Sequence, residues 1–266
     1  MMQIEDEKRL KVPEFEEVSI MDEMKVYARW INLLNQTGIE YLLGGAFALY
    51  AHTGIWRNTK DLDVFLRVGD LKIALDAMEN AGFETEVTNP VWLAKVRQRP
   101  YMMDLIFSVT GRRIPLDGDF LRCGLRYWVL DIPTCIMPIE ELIATKAYLA
   151  KSYRFDGADI LHLIRQAEGA FDWERLISLF GERVDLLLWH LLLFQFVYPD
   201  AIAYVPADLM KRLFQRVEDR WSDTSSSRSF SGTLIDPASF KIDCKLWGYA
   251  DTHEPQPLVN AKGEVL

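Results

Sequence analysis

The chain has 266 residues, half of them apolar and 26% charged, with a formal charge of −9. Disorder as its main character is excluded, because 12% of the residues are aromatic and the apolar fraction suits a packed core. The acidic balance argues against sequence-independent nucleic-acid binding, which rests on Lys and Arg neutralising phosphates. Three widely spaced cysteines, Cys123, Cys135 and Cys244, indicate neither a disulfide framework nor a zinc knuckle.

Taken in chain order, residues 1–18 are a charged arm without the apolar run of a signal peptide, so a cytoplasmic protein is expected. Ser19-Ile-Met-Asp22 has the form of a capping box. Met24, Tyr27, Trp30, Ile31 and Leu34 follow at helical spacing, predicting a helix that ends near Thr37-Gly38. A strand over Glu40–Leu43 meets Gly44-Gly45, and a small-residue helix follows from Ala46 to His52. Leu62–Leu66 reads as a strand, and Asp70–Ala81 as a helix closed by Gly82. Strands are expected at Phe83–Val87, Trp92–Arg97 and Tyr101–Phe107, with a turn at Thr110-Gly111-Arg112 and one more strand over Arg126–Ile132.

After Pro138 the periods are helical as far as Trp221, which predicts four or five helices. The most apolar stretch, Leu186 to Tyr198, is too short to span a bilayer and reads as a buried helix. Asp223 to Leu266 opens on serines and carries Phe240, Leu246, Trp247 and Tyr249 as anchors, so an extended strap is expected. The domain pattern is thus an arm over 1–18, a core over 19–137, a helical domain over 138–222 and a strap over 223–266.

The chemistry-bearing run is Tyr41 to Leu66. Two glycines at a strand-to-helix turn let backbone approach a ligand, and a helix N-terminus presents N–H groups to an anion. Strand alternation sets Asp61 and Asp63 on one face. Such a pair of carboxylates calls for a cation, and magnesium is the hard, oxygen-seeking ion that nucleotide phosphates complete. Asp104 stands alone among the apolar residues of Tyr101–Phe107, an expensive position unless paired or metal-bound. If its strand lies beside that of Asp63, the three acids form a cluster able to hold two metals. Arg57 and Lys60 read equally as phosphate contacts or as counter-charges to the acid pair. Lys146 reads as a triphosphate contact or as a snorkelling lysine. Asp156 and Asp159 read as an N-cap and a first-turn acid of one helix. Residues 95–126 hold seven basic residues against three acidic ones, either a basic rim for a polyanion or a solvated sheet face.

Gly44-Gly45, Asp61-Leu62-Asp63 and Asp104 resemble the nucleotidyltransferase superfamily that includes DNA polymerase beta, the aminoglycoside nucleotidyltransferases and the nucleotidyltransferase toxins of abortive-infection systems. Arg57-Asn58-Thr59-Lys60-Asp61-Leu62-Asp63 is similar to the wording of the toxin-like branch. Lys146 with Arg154-Phe155-Asp156-Gly157-Ala158-Asp159 looks like a helical segment of related bacterial proteins, one residue off its commoner spacing. The resemblance covers roughly residues 20–165. It implies an α/β (α+β) fold, a mixed sheet flanked by helices with a C-terminal helical domain. It further implies Mg2+-dependent transfer of a nucleoside monophosphate from an NTP to an acceptor hydroxyl. Asp61, Asp63 and Asp104 would be catalytic metal ligands, with Gly44, Gly45, Arg57 and Lys146 on the nucleotide and Asp159 behind them. The acceptor is a small molecule, an RNA end or a protein hydroxyl. A nucleotidyltransferase fold that binds or regulates without turnover is the alternative.

Overall fold

The helical spacing of Tyr27, Trp30, Ile31 and Leu34 becomes a buried stripe of helix α1, Val18–Thr37. This is a computed structural model describing residues 8–10, 18–57, 59, 61–109, 116, 120–121, 124–222 and 230–251. The chain divides into two compact units, the first running to Pro138 and the second starting at Ile139.

In the first unit an eight-stranded mixed sheet is built from β1 (Lys8–Leu10), β2 (Tyr41–Leu43), β3 (Asp61–Leu66), β4 (Glu84–Asn89), β5 (Leu93–Gln98), β6 (Tyr101–Ile106), β7 (Leu125–Val129) and β8 (Ile132–Ile136). The strand order is β1-β7-β8-β2-β3-β6-β5-β4. Helix α2 (Gly45–Thr53) follows β2, and α3 (Leu71–Asn80) follows β3 and ends at Gly82 in the left-handed region. Period-two alternation splits the central strands. Leu62, Val64 and Leu66 with Met103, Leu105, Ala94 and Val96 are buried on one face, leaving Asp61, Asp63, Asp104, Lys95 and Arg97 on the other. Helices α1 and α3 pack together, α1 against β6 and β8 and α3 against β4.

Two expectations are corrected here. The single strand over Arg126–Ile132 is a hairpin, β7 and β8, turning at Leu130 and Asp131. Both turn residues have positive φ, 53° and 59°, the geometry a two-residue hairpin loop demands, but neither is the glycine that would signal it. Within the expected arm, Lys8–Leu10 instead forms β1, pairing parallel with β7 at the sheet edge. The predicted turn at 110–112 lies outside the described residues.

The second unit contains α4 (Ile139–Ala147), the short strands β9 (Ala150–Lys151) and β10 (Arg154–Phe155), then α5 (Gly157–Gln166), α6 (Trp173–Phe180), α7 (Val184–Val197) and α8 (Ala207–Ser222). Its core joins Leu142, Ile143, Ile160, Leu163, Leu176, Phe180, Leu187, Leu191, Phe194 and Leu209. Helix α7 is buried on one side only, since Trp189, Leu192 and Phe196 are exposed. Among the described residues no helix is long and apolar enough to cross a membrane. The extended strap is also corrected. Gly232–Ile235 and Lys241–Leu246 are short helices, α9 and α10, organised by the buried Asp236. Its carboxylate accepts from the backbone N–H groups of Ser152, Ala238 and Ser239, and Phe230 stacks on Tyr249.

Candidate active site

Parallel pairing of β3 with β6 sets Asp63 directly opposite Asp104, and antiparallel pairing of β6 with β5 sets Asp104 opposite Lys95. One row across four strands therefore reads Asp63, Asp104, Lys95, Glu86; the adjacent row reads Asp61, Met102, Arg97, Glu84. Like charges directly opposite destabilise a sheet unless countered. Lys95 Nζ donates to Asp104 Oδ1 at 2.5 Å, and Arg97 Nη1 donates to Glu86 Oε2 at 2.7 Å. Burial pushes the Asp104 carboxyl up, opposed by the hydrogen bond and charge of Lys95.

The glycine turn explains itself by what it touches. Gly44 N–H donates to Asp63 O at 3.0 Å, fastening the turn to β3. Gly45 has a φ of +49°, and a Cβ there would overlap Asp63 Oδ2. A Cβ on Gly44 would run into the Phe65 ring. Asp63 thus leans against the first residue of α2, whose N-terminus has no side-chain cap. Asp61 is oriented by Thr59, whose hydroxyl lies 2.8 Å from Asp61 Oδ1 and 2.9 Å from Asp61 O. Arg57 is exposed on the loop leading into β3. Asn58 and Lys60 lie outside the described residues.

Helix α1 reaches the same acids. Tyr27 is fully buried, donates to Glu23 Oε1 at 2.6 Å, and stacks near Trp30. Burial, then Glu23, then the charges of Asp61 and Asp63 push its hydroxyl far above the usual range. The sequence reading set Tyr27 on the apolar side of a helix and quoted Thr59 only within the Arg57–Asp63 motif, giving neither a role at the site. It placed Lys95 in a rim or on a solvated face, whereas Lys95 is largely buried against Asp104. The signal was available: a lysine between Ala94 and Val96 in an apolar strand needs a partner.

The remaining expectations divide. Arg126 lies on β7, with β8, β2 and β3 between it and β6, so it does not lie beside Lys95 and Arg97. Arg112, Arg113 and Arg122 are outside the described residues. Lys146 is buried in the second unit with its Nζ 2.8 Å from both Asp156 Oδ2 and Asp159 Oδ2. Asp156 also accepts from Arg154 Nε at 2.8 Å and makes no side-chain cap, which corrects the N-cap reading. Two cations outcompete the backbone N–H groups for that carboxylate. Among the described residues no three His, Cys, Asp or Glu side chains converge as metal ligands, and Asp104 is paired with Lys95. A cleft of about 460 Å³ between the end of α1 and the β7–β8 hairpin is lined by Asn35, Glu40, Tyr41, Arg126 and Thr134 and by none of Asp61, Asp63 and Asp104.

An α/β unit with a glycine turn clasped by an Asp-x-Asp strand and a third Asp on the next strand defines the class of site. No family model and no curated protein matches the chain. Among solved structures, the chain is similar to an antigenic nucleotidyltransferase-like protein from Paracoccidioides brasiliensis, at 17% identity over 69% of this chain and 92% of that one, TM-score 0.46. It is also similar to ANT(2")-Ia in complex with adenylyl-2"-tobramycin, at 13% identity over 62% of this chain and 97% of that one, TM-score 0.44. A third is the lincomycin-bound lincosamide antibiotic adenylyltransferase LnuA, at 17% identity over 53% and 95%, TM-score 0.40.

Proposed function

We propose that the chain is a nucleotidyltransferase that moves a nucleoside monophosphate from an NTP to an acceptor hydroxyl, releasing pyrophosphate. The observation that carries this reading is Asp63 leaning on Gly45 at an uncapped helix start, with Asp61 beside it and Asp104 opposite. The N–H groups at that turn attract phosphate. Phosphate and the Asp63 carboxylate share the place only with a cation between them. The all-oxygen pair Asp61 and Asp63 fits Mg2+, which when bound offsets charge on the phosphates and the departing pyrophosphate. Thr59 holds Asp61 in orientation, and exposed Arg57 meets phosphate charge from the loop. Asp104, whose carboxyl burial raises, takes the proton of the attacking hydroxyl. The acceptor is a small-molecule hydroxyl or an RNA end. Salt separates the two, since RNA binding weakens steeply as ionic strength rises.

A second reading draws on the Lys95–Asp104 bond: with its third acid held by a resident ammonium, the chain binds nucleotide without turnover. Thermal-shift titration with ATP, GTP, CTP and UTP, with and without Mg2+, tests the first reading on the wild type and Asp63→Asn. A nucleotide at a hundred times its Kd adds about 2.7 kcal/mol. A magnesium-dependent shift with one NTP, lost in Asp63→Asn and accompanied by pyrophosphate release, is the expected result. A shift without pyrophosphate release from any acceptor favours the second reading, and no shift at all removes both.

A further inference from the structure

Helix α7 is apolar on two sides, and the second unit buries only one of them. Leu187, Leu191 and Phe194 enter the core. Trp189 and Leu192, each 42% exposed, Phe196, 83% exposed, and Val197, 45% exposed, stay outside it. Trp189, Leu192 and Phe196 stand at i, i+3 and i+7, a single stripe along the helix. Phe155 of β10, 47% exposed, widens the stripe, with its ring centre 5.8 Å from that of Trp189. A helix apolar all round belongs in an interior, so the outer side calls for a cover. Asp185, at the helix start, is the one formal charge of α7. The stripe offers no Lys or Arg to nucleic-acid phosphates or to an anionic membrane, and its chemistry suits an apolar protein face.

The spacing of the stripe makes it complementary to itself. A two-fold axis between Leu192 and Leu193 lays α7 antiparallel to the α7 of a second copy. Trp189 and Phe196 lie about one turn either side of that axis, so each meets the other across it, as an isologous contact requires. With 150–250 Å² for a whole aromatic side chain, the five exposed residues present roughly 500 Å² of apolar surface. At about 65% apolar, an interface with that core covers ~800 Å² per partner, the area a stable complex needs. We infer that α7 is the contact helix of a homodimer, crossing its copy at Leu192 with each Trp189 on the partner's Phe196. This goes beyond the nucleotidyltransferase reading and does not depend on it.

Sedimentation equilibrium of the full chain, from low to high micromolar concentration, tests it. The wild type is expected at twice 30.8 kDa. Trp189→Glu and Phe196→Glu are each expected to weaken association about thirtyfold or more, the size of a hot-spot loss. Both positions are exposed, so circular dichroism is expected to stay unchanged. Trp189→Glu combined with Phe196→Lys sets opposite charges across the axis and is expected to restore association, now weakened by salt. A single-chain mass at every concentration would overturn the inference, whether the stripe is then open or held by another protein. A dimer that both single variants leave intact would overturn it as well. So would a folded Trp189→Glu, Phe196→Lys chain that associates no better than Trp189→Glu alone, because the antiparallel register would then be wrong.

Discussion

Each unit carries a lysine among aspartates, and the two arrangements differ in how the lysine is spent. In the second unit Lys146 lies 2.8 Å from two carboxylates, 8% exposed, with Arg154 backing Asp156. It ties helix α4 to the start of α5 within a closed network. In the first unit Lys95 holds one acid, Asp104, in the middle of a row across the sheet, while Asp61 and Asp63 are half-buried beside a glycine turn. Sequence alone offers Lys146 as either a triphosphate contact or a snorkelling lysine, and Asp159 as a first-turn acid or a group behind the site. Geometry separates a cross-link from a site.

The largest effect that tests this comparison is expected from Lys146→Met. Removing one partner of a buried ion pair costs about 3–5 kcal/mol, which a melting curve detects, and the nucleotide-dependent shift should persist in whatever protein remains folded. A full melting temperature with the nucleotide shift abolished would make Lys146 a phosphate ligand and erase the contrast. Next in size is acid. Burial pushes the Asp156 carboxyl up, but Arg154 and Lys146 outweigh it and hold it at about 2, below its usual 3.8. A folded pKa below the unfolded one gives stability that is complete above the unfolded value and lost as pH falls through the folded one. About 2 kcal/mol should therefore vanish between pH 4 and 2, seen in denaturant curves at stepped pH. Asp156→Asn should flatten that slope. The smallest effect belongs to the open site: Thr59→Val removes the hydroxyl that orients Asp61 and should cost about 1 kcal/mol of stability, measured by denaturant unfolding. If Thr59→Val cost as much as Lys146→Met, the Asp61 side would be a cross-link too.

The parts of the site that strand periodicity controls were legible. Asp61 and Asp63 share a face because they are two residues apart, and the paired glycines announced a close approach that proved to be the Asp63 carboxylate. What depended on register between strands distant in sequence was not legible. Asp104 could be placed opposite Asp63 only conditionally, and Lys95, nine residues before Asp104, became its partner through a hairpin whose register no local signal specifies. The Asp156 misreading has the same origin. A residue preceding a helix looks like a cap until a buried lysine ten residues upstream claims it. The β7–β8 hairpin stayed hidden because Leu130 and Asp131 adopt positive φ without being glycine.

The three-residue strand Lys8–Leu10 has a consequence for how the protein behaves in solution. Lying parallel to β7, it occupies a row of backbone donors and acceptors that would otherwise face outward beside Trp128. At the opposite border, β4 is guarded by its exposed Glu84 and Glu86, side chains that discourage a stranger from pairing there. Only one border of the sheet relies on a borrowed ribbon of chain. Shortening the polypeptide past Lys8 would leave each molecule with an adhesive margin, and the symptom would be self-association at high concentration, with the fold otherwise intact.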